Sequence, residues 1–273
     1  MNKIIFITGS TGYIGSQLTK KIETKSTFFI NKSSIKDNFY VFNNKNEKFG
    51  LSEFINKEII VVHLATFFSK SLEDEKKIID ANINFGNLVL KNIGNLNISK
   101  SIYLNSMYKF YNDINTRELM YTKTKTEFSE IIKNHSLENN YIFEEIFLDN
   151  TFGGIDKRKK IVPLIIESLL KKEGNPINNP ENKMNLMYLD DVIERIKISI
   201  NSQDGGSNLF INEKSLALSS IYNFLYEFLN TKEINEEYLK FYDNEYITNS
   251  LKIDHKNINL SSIPDELINM LSI

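Results

Sequence analysis

The feature that most constrains the fold is a glycine-rich loop near the start of the sequence, Thr8–Gly15, which reads TGSTGYIG. It follows the apolar run Lys3–Thr8, which predicts a buried strand, and it opens an amphipathic stretch. Gly9 would permit a tight turn, Gly12 would let the backbone approach a pyrophosphate, and Gly15 would let helix and strand pack closely. A helix beginning there offers N–H groups and a favourable dipole to phosphates. The loop predicts a dinucleotide-phosphate site, with an ordinary glycine-rich turn as the alternative.

Apolar runs and amphipathic stretches alternate through the first half of the chain. The apolar runs predict strands at Lys3–Thr8, Thr27–Ile30, Ile59–Leu64, Ser101–Leu104 and Tyr141–Leu148. The amphipathic stretches predict helices at Tyr13–Glu23, Glu75–Ile93 and Arg117–Asn134. This alternation is typical of an α/β fold with a doubly wound parallel sheet. After about Asn150 the rhythm changes to two helices and an exposed polar loop, which indicate a smaller C-terminal lobe: Val162–Lys172, Val192–Ser202 and Asn175–Lys183.

Composition argues against several functional classes. The 273 residues include no cysteine, which excludes disulfides and thiolate chemistry, and the three histidines are too far apart to suggest a zinc site. The formal net charge is −2 with both signs dispersed, so no nucleic-acid or anionic-membrane surface is expected. No apolar run approaches the ~20 residues of a membrane span, and the N-terminus lacks a signal-peptide pattern. We expect a cytoplasmic protein with no metal, nucleic-acid or membrane partner.

A second motif, Y-x-x-x-K, occurs at Tyr121 and Lys125 within the predicted helix Arg117–Asn134. Positions i and i+4 share one face of a helix, so the two side chains can meet. An ordinary phenol has a pKa of ~10, and a nearby ammonium stabilises phenolate and brings this pKa toward neutrality. Such a pair can give a proton to a carbonyl oxygen during hydride transfer. The alternative is a surface pair in a chain rich in lysine and tyrosine.

A hydroxyl residue stands where a strand is expected to end. Ser106 follows the run Ser101–Leu104, in the sequence Ser106-Met107-Tyr108-Lys109-Phe110. A hydroxyl at this point can hydrogen-bond a substrate oxygen and help to hold the charge that develops there. The alternative is a strand-end serine that satisfies the local backbone.

Together these motifs resemble those of the extended short-chain dehydrogenase/reductases, the NAD-dependent epimerase/dehydratase family, which process nucleoside-diphosphate sugars. The resemblance implies a Rossmann-type domain over residues 1–150 and a mainly substrate-binding lobe over 151–273, with some segments returning to the Rossmann core. It also implies a homodimer formed through the two long helices, and catalysis by Tyr121, Lys125 and Ser106. The implied cofactor-binding residues are Gly9, Thr11, Gly12, Tyr13, Ile14, Gly15, Asn31, Lys32, Ser33, Leu64, Ala65, Asn82, Tyr121 and Lys125.

The end of the second predicted strand bears on the choice of cofactor. NAD-binding sites usually have an acidic residue there to hold the ribose hydroxyls. The run after Thr27–Ile30 instead begins Asn31-Lys32-Ser33-Ser34. A lysine and hydroxyls suit a 2′-phosphate, so the sequence favours NADPH, with NADH as the alternative cofactor. Lys32 could otherwise be an ordinary solvated loop cation.

Two other segments resemble parts of the family's cofactor site. His63-Leu64-Ala65 resembles a strand-end motif whose backbone lies along the cofactor, and His63 itself is expected to be structural. Asn82 resembles a helix asparagine that buttresses the active site, although the family usually has glycine where Phe85 stands. An exposed helix asparagine is the alternative for Asn82.

On the substrate side, Asn150 resembles the asparagine of the family's N-x-Y-G loop, which contacts the sugar nucleotide. Arg158, in the basic run Asp156–Lys160, is a candidate for the diphosphate because guanidinium binds phosphate through two hydrogen bonds; a solvated charge run is the alternative. Met107, a candidate substrate contact, and Tyr108 stand where the 4,6-dehydratases of the family carry an Asp–Glu pair, so dehydration is disfavoured.

The run Tyr188–Val192 resembles the family's Y-V-D-D-V, which is mainly structural, and Asp190 or Asp191 is expected to cap a helix. Within the family, four features most resemble the CDP-abequose and CDP-paratose synthase subgroup: the short spacing from Ser106 to Tyr121, the A-N-x-x-F helix start, Y-x-x-x-K-x-x-F from Tyr121 to Phe128, and D-x-R-x-K from Asp156 to Lys160. This implies an NAD(P)H-dependent reductase of a nucleoside-diphosphate 4-keto-deoxyhexose in surface-polysaccharide synthesis. The alternatives are a nucleotide-sugar 4-epimerase with retained NAD and a non-catalytic NADP-binding regulator.

Overall fold

A computed structural model describes residues 3–22, 25–35, 39–111, 113–156, 158, 160–243, 253–256 and 258–272. The side chain of Ser33, a predicted cofactor contact, lies outside this description. The chain forms two compact units, which are described separately. Unit 1 comprises Met1–Phe147 and Ile196–Asn208, and unit 2 comprises Leu148–Arg195 and Leu209–Ile273.

The elements follow in chain order. The first part contains β1 (Ile4–Thr8), α1 (Tyr13–Lys21), β2 (Thr27–Ile30), β3 (Tyr40–Phe42), β4 (Lys48–Gly50), β5 (Ile59–His63), α2 (Glu75–Ile79), α3 (Phe85–Ile93), β6 (Ile98–Ser106), α4 (Ile114–Glu118), α5 (Met120–Glu138) and β7 (Ile142–Leu148). The second part contains β8 (Asn150–Phe152), α6 (Ile161–Lys171), β9 (Lys183–Met184), β10 (Leu186–Tyr188), α7 (Leu189–Asn201), β11 (Gly206–Leu209), β12 (Lys214–Ala217), α8 (Leu218–Thr231), β13 (Phe241–Asp243) and α9 (Ile263–Asn269).

An eight-stranded mixed sheet in the order β11-β7-β6-β5-β1-β2-β3-β4 forms the centre of unit 1. Strands β2, β1, β5 and β6 run parallel to one another, and β3 and β4 add an antiparallel edge. All five residues of β5 are buried, as expected for a strand covered on both faces. The predicted α/β fold with a Rossmann-like sheet is confirmed, whereas the edge hairpin β3–β4 was not predicted.

The predicted helix Glu75–Ile93 is interrupted by a π-helical turn over Asp80–Asn84. Just after this turn, Gly86 lies against α5, where an added Cβ would stand 2.0 Å from the ring of Phe128. No larger side chain fits there without displacing that buried ring. The predicted helix Arg117–Asn134 is also broken, because α4 ends at Glu118 and α5 begins at Met120.

Unit 2 has its own apolar core and two small sheets. Strands β8 and β10 pair in parallel, while β12 pairs antiparallel with β9 and β13. The expectation that an aspartate caps α7 needs correction: Asp190 and Asp191 lie within the first turn of the helix. Asp191 instead accepts hydrogen bonds from the backbone N–H and hydroxyl of Ser261, at 2.9 and 2.7 Å, and so holds the C-terminal segment.

Two negative findings apply to the described residues. No helix among them is long and apolar enough to cross a membrane. Nor does that part of the chain contain a group of three His, Asp or Glu side chains that could hold a metal ion.

Candidate active site

The glycine loop Thr8–Gly15 forms a tight cradle at the carboxyl end of β1. Gly9 has a φ of +69°, and a Cβ there would stand 2.6 Å from the amide nitrogen of Ala65. A Cβ on Gly15 would stand 2.1 Å from the carbonyl oxygen of Gly9. Both positions therefore require glycine, Gly9 for the turn and its approach to the end of β5, and Gly15 for the packing of α1 on the loop.

The first turn of α1 faces this loop without a capping side chain. Gly12 is its N-cap residue and makes no side-chain cap bond, and no acidic residue lies in the first turn, which contains Tyr13 and Ile14. Thr11 and Gly12 are exposed. A helix N-terminus without a competing carboxylate suits phosphate. The cradle thus fits the pyrophosphate of a dinucleotide, as the sequence predicts.

The backbone at the end of β5 is fixed to β1. The hydroxyl of Thr8 accepts hydrogen bonds from the amides of Leu64 and Ala65, at 3.2 and 3.1 Å. These two residues therefore border the glycine loop at the carboxyl edge of the sheet, where open α/β folds bind their ligands.

Asn82 lies in the π-helical turn and is 1% exposed. Its amide oxygen accepts from the N–H of Phe67 at 2.7 Å and the hydroxyl of Thr66 at 3.1 Å. Its amide nitrogen donates to the Phe67 carbonyl at 3.2 Å and to Thr124 at 3.0 Å. These bonds use the whole hydrogen-bonding capacity of the carboxamide. Asn82 therefore ties the segment after β5 to α5, rather than offering free polar atoms to a cofactor, and π-turns of this kind are frequent at functional sites.

Lys125 is buried beneath the site, with 5% of its surface exposed. Its ammonium donates to the carbonyl of Leu104 and lies 4.1 Å from the centroid of the Tyr103 ring. Burial lowers the pKa of Lys125 to about 7, while the carboxylate of Glu145 acts in the opposite direction. A lysine with such a pKa exchanges its proton near neutral pH, which suits acid–base work.

Tyr121 precedes Lys125 by one turn of α5, and its ring is half-buried. The ring meets that of Phe68 edge-on at 5.0 Å and that of Tyr108 at 6.1 Å. Phe68 follows β5 and Tyr108 follows β6, so the phenol lies beside the ends of both strands. The structure thus brings Tyr121, Lys125 and the glycine loop into one unit, at one edge of its sheet.

Ser106 is the last residue of β6. Its hydroxyl accepts from the N–H of Tyr108 at 3.3 Å, and its own N–H donates to the side chain of Asn105 at 2.8 Å. The cap uses one acceptor position of the hydroxyl, whose proton can still be donated in a hydrogen bond. The expected contact from Met107 needs correction. Its side chain is 0% exposed, because the short 3-10 turn after β6 directs it into the core.

At the end of β2, Asn31 and Lys32 are both exposed. The N–H of Asn31 donates to the hydroxyl of Ser34 at 3.0 Å, which shapes the turn after the strand. The turn leaves the Lys32 side chain at the surface, where the sequence predicts a 2′-phosphate contact.

The two predicted substrate residues of unit 2 have partners inside the protein. The Asn150 amide donates to Asp149 at 2.6 Å. Arg158 donates through Nε and Nη2 to both oxygens of Asp156, at 2.7 and 2.8 Å, and through Nη2 to the Thr151 carbonyl at 3.1 Å. The guanidinium of Arg158 is thus already engaged in a bidentate ion pair with Asp156. A diphosphate contact would therefore require the ion pair to open, and the flanking Lys157 and Lys159 lie outside the described residues.

A family model described as "NAD dependent epimerase/dehydratase family" matches residues 5–212. The chain belongs to the NAD-dependent epimerase/dehydratase family. The predicted resemblance is thus confirmed at the level of the family, whose members are NAD-dependent enzymes. The match covers the glycine loop, Ser106, Tyr121 and Lys125.

Relatives within and near this family are distant in sequence. The chain is 25% identical over 216 residues to a CDP-abequose synthase from Yersinia pseudotuberculosis, a stretch that covers 74% of each protein. Among solved structures it is similar to a UDP-N-acetylglucosamine 4-epimerase from Methanobrevibacter ruminantium, with a TM-score of 0.73, 17% identity and coverage of 100% and 98% of the two chains. It is also similar to a UDP-glucuronic acid 4-epimerase from Bacillus cereus, with a TM-score of 0.74, 13% identity and coverage of 99% and 98%. The structural similarities support the fold.

Sequence reasoning missed the polar residues behind the site. Asn105 and Glu145 are both buried and hydrogen-bonded to each other at 2.7 Å. The available signal was the pair Glu144-Glu145 inside the otherwise apolar run Tyr141–Leu148. Carboxylates in a buried strand need partners, and such partners are frequently functional.

Proposed function

We propose that this enzyme is an NADPH-dependent reductase of the 4-keto group of a nucleoside-diphosphate deoxyhexose. The observation that carries the proposal is that Tyr121 lies one turn of α5 before a buried Lys125 whose pKa is about 7, in the same unit as the glycine cradle. The similarity to a CDP-abequose synthase supports a CDP-linked sugar as the substrate.

Each site residue would have its own role in the reduction. Bound NADPH supplies a hydride to the sugar carbonyl carbon. Tyr121 gives its phenolic proton to the carbonyl oxygen, and the Lys125 ammonium stabilises the phenolate that remains. Ser106 donates a hydrogen bond to the same oxygen and holds charge that develops there. The glycine loop and the first turn of α1 would hold the pyrophosphate.

The segment after Ser106 supports reduction over dehydration. Elimination of water needs an additional acid and base near the sugar. Neither Met107 nor Tyr108 carries a carboxyl group. Met107 is also buried, and Tyr108 lies in an aromatic cluster with Phe68 and Tyr121. A reductase needs only the Tyr–Lys pair and a hydride donor.

We further propose that Lys32 contacts the 2′-phosphate of NADPH, and that unit 2 binds the sugar nucleotide through Asn150. The enzyme would act in the cytoplasm, in surface-polysaccharide synthesis, as a homodimer. Leu88 on α3 and Leu137 on α5 are 42% and 72% exposed, which supports a subunit contact through these two helices.

The test is NADPH oxidation, followed by absorbance, with CDP-4-keto-3,6-dideoxyglucose as the substrate. The wild type is expected to consume NADPH, and Tyr121→Phe is expected to lose turnover by about 10²-fold or more with cofactor binding retained. Tyr111→Phe is the matched control: Tyr111 ends the turn after β6, its ring lies 5.2 Å from that of Tyr108, and the variant should stay active. Wild-type-like turnover of the Tyr121 variant contradicts the assignment. Purification with tightly retained NAD, and no NADPH consumption, would support a 4-epimerase instead.

A further inference from the structure

A buried carboxylate lies behind the Tyr–Lys pair. Glu145 is the fourth residue of β7 and is 4% exposed. One of its oxygens accepts from the amide of Asn105 at 2.7 Å and from the hydroxyl of Ser129, and the other accepts from Ser207 at 2.8 Å. Strands β6, β7 and β11 and helix α5 thus meet at this one side chain.

Glu145 reaches the active site by two routes. The first is the hydrogen-bonded chain through Asn105, whose amide oxygen accepts from the N–H of Ser106 at 2.8 Å. The second is electrostatic, because the negative charge of Glu145 raises the pKa of Lys125 against the effect of burial.

Two other titratable side chains near Lys125, those of His63 and Tyr103, are neutral at pH 7. Burial lowers the pKa of His63 on β5 to about 3 and raises the pKa of Tyr103 on β6 well above its ordinary value. Tyr121 itself lies one turn away on α5. Glu145 is therefore the anion that acts on this ammonium among the described residues.

A charged carboxylate is costly to bury, since several kcal/mol of hydration are lost when it leaves water. The neutral glutamine has nearly the same shape and could make the same number of hydrogen bonds. What glutamine cannot supply is the charge. A role for the charge itself distinguishes Glu145 from a purely structural polar residue.

We propose that Glu145 is a positioning residue of the reductase, whose buried carboxylate keeps the Lys125 ammonium charged and, through Asn105, fixes the backbone of Ser106. This inference rests on the proposed function for its catalytic consequence. The effect on Lys125 itself is a property of the protein without substrate, and can be measured separately.

The direct test is an NMR titration of the substrate-free protein labelled with 13C at lysine Cε, with the Lys125 signal assigned by its loss in Lys125→Met. The wild type is expected to titrate near pH 7. Glu145→Gln is expected to lower the pKa of Lys125 by about one unit, because an opposite charge has been removed. Glu144→Gln is the matched control: this neighbouring buried carboxylate pairs with Lys100 at 2.6 Å, and its loss should leave Lys125 unchanged. An unchanged Lys125 titration in folded Glu145→Gln overturns the proposal.

The activity readout is the pH profile of NADPH consumption. Deprotonation of the ammonium removes activity as pH rises, so Glu145→Gln should move the alkaline limb about one pH unit lower. Turnover at pH 8 should fall about tenfold, and the double variant Asn105→Asp/Glu145→Gln, which returns a negative charge to the network, should restore it. A uniform loss at all pH values indicates structural damage and contradicts the proposal. If the wild type reduces no keto sugar, the proposed function is wrong, whereas the effect of Glu145 on Lys125 measured by NMR is unaffected.

A second variant guards against misfolding of Glu145→Gln. Glu145→Met removes the same charge with a side chain of similar length, and it too is expected to lower the pKa of Lys125. An unchanged Lys125 titration in folded Glu145→Met overturns the proposal.

Discussion

Replacing Lys125 with methionine should stabilise the fold at neutral pH while it removes activity. Burial lowers the pKa of Lys125 from 10.5 to about 7, so the folded state disfavours the ammonium. At about 1.4 kcal/mol per pKa unit this corresponds to about 5 kcal/mol at pH 7 or below. Methionine has a similar length and carries no charge, but it loses the hydrogen bond to Leu104, worth about 1 kcal/mol. We expect Lys125→Met to gain about 1–3 kcal/mol in the free energy of unfolding at pH 7.

The pH dependence of this gain follows from the sign of the shift. Between pH 7 and 10.5 the unfolded chain holds the lysine proton and the folded chain has released it, so the stability of the wild type rises with pH. From pH 7 to 9 the wild type should gain about 2 kcal/mol relative to Lys125→Met, which cannot titrate at this position.

Urea denaturation followed by circular dichroism at pH 7, 8 and 9 measures both effects. Lys123→Met is the matched control, because Lys123 lies two residues earlier on α5 and its side chain is 52% exposed. Its free energy of unfolding should follow that of the wild type at every pH. Lys125→Met should exceed the wild type in free energy of unfolding by less at pH 9 than at pH 7. If this difference stays constant with pH, Lys125 is not a buried lysine of lowered pKa.

Three further substitutions test the packing around the site. Lys100→Met should destabilise the fold by about 3–5 kcal/mol in urea denaturation, because it leaves the buried Glu144 carboxylate without its cation. The double variant Lys100→Met/Glu144→Leu should recover most of this loss. Equal instability of the single and double variants would contradict the expectation. Gly86→Ala should lower the melting temperature, at a cost of about 1–3 kcal/mol, because its Cβ would overlap the Phe128 ring, and an unchanged melting temperature would show that the ring yields freely. Asn82→Ala should weaken NADPH binding in isothermal titration calorimetry about tenfold, by releasing the segment after β5; unchanged affinity would show that this segment does not bear on the cofactor.

The parts of the fold that could be predicted are those fixed by short-range patterns. The glycine loop and strands β1, β2, β5 and β7 follow from local periodicity and from glycine stereochemistry. The edge hairpin β3–β4 escaped prediction because its three-residue strands are too short to show periodicity. The π-turn over Asp80–Asn84 keeps a helical pattern of side chains, so the sequence shows one continuous helix there.

In the candidate site, too, local sequence patterns could be predicted and the burial of individual side chains could not. Tyr121 and Lys125 are one turn apart on a helix, a spacing that sequence alone reveals. Burial decides the rest: Met107 faces the core because the chain turns sharply after Ser106, and Arg158 is engaged by Asp156 two residues away. Neither outcome follows from residue type or spacing, because each depends on where the loop backbone directs a side chain.

In the proposed reaction, Tyr121 and Lys125 support hydride transfer from NADPH to a sugar ketone. The most direct measurement uses NADPH deuterated at C4 of the nicotinamide, on each face in turn, with CDP-4-keto-3,6-dideoxyglucose, and follows the sugar product by NMR. One of the two labelled cofactors should deliver one deuterium to C4 of the sugar for each NADPH consumed. A sugar product that carries no deuterium with either cofactor, while NADPH stays intact, would contradict the account.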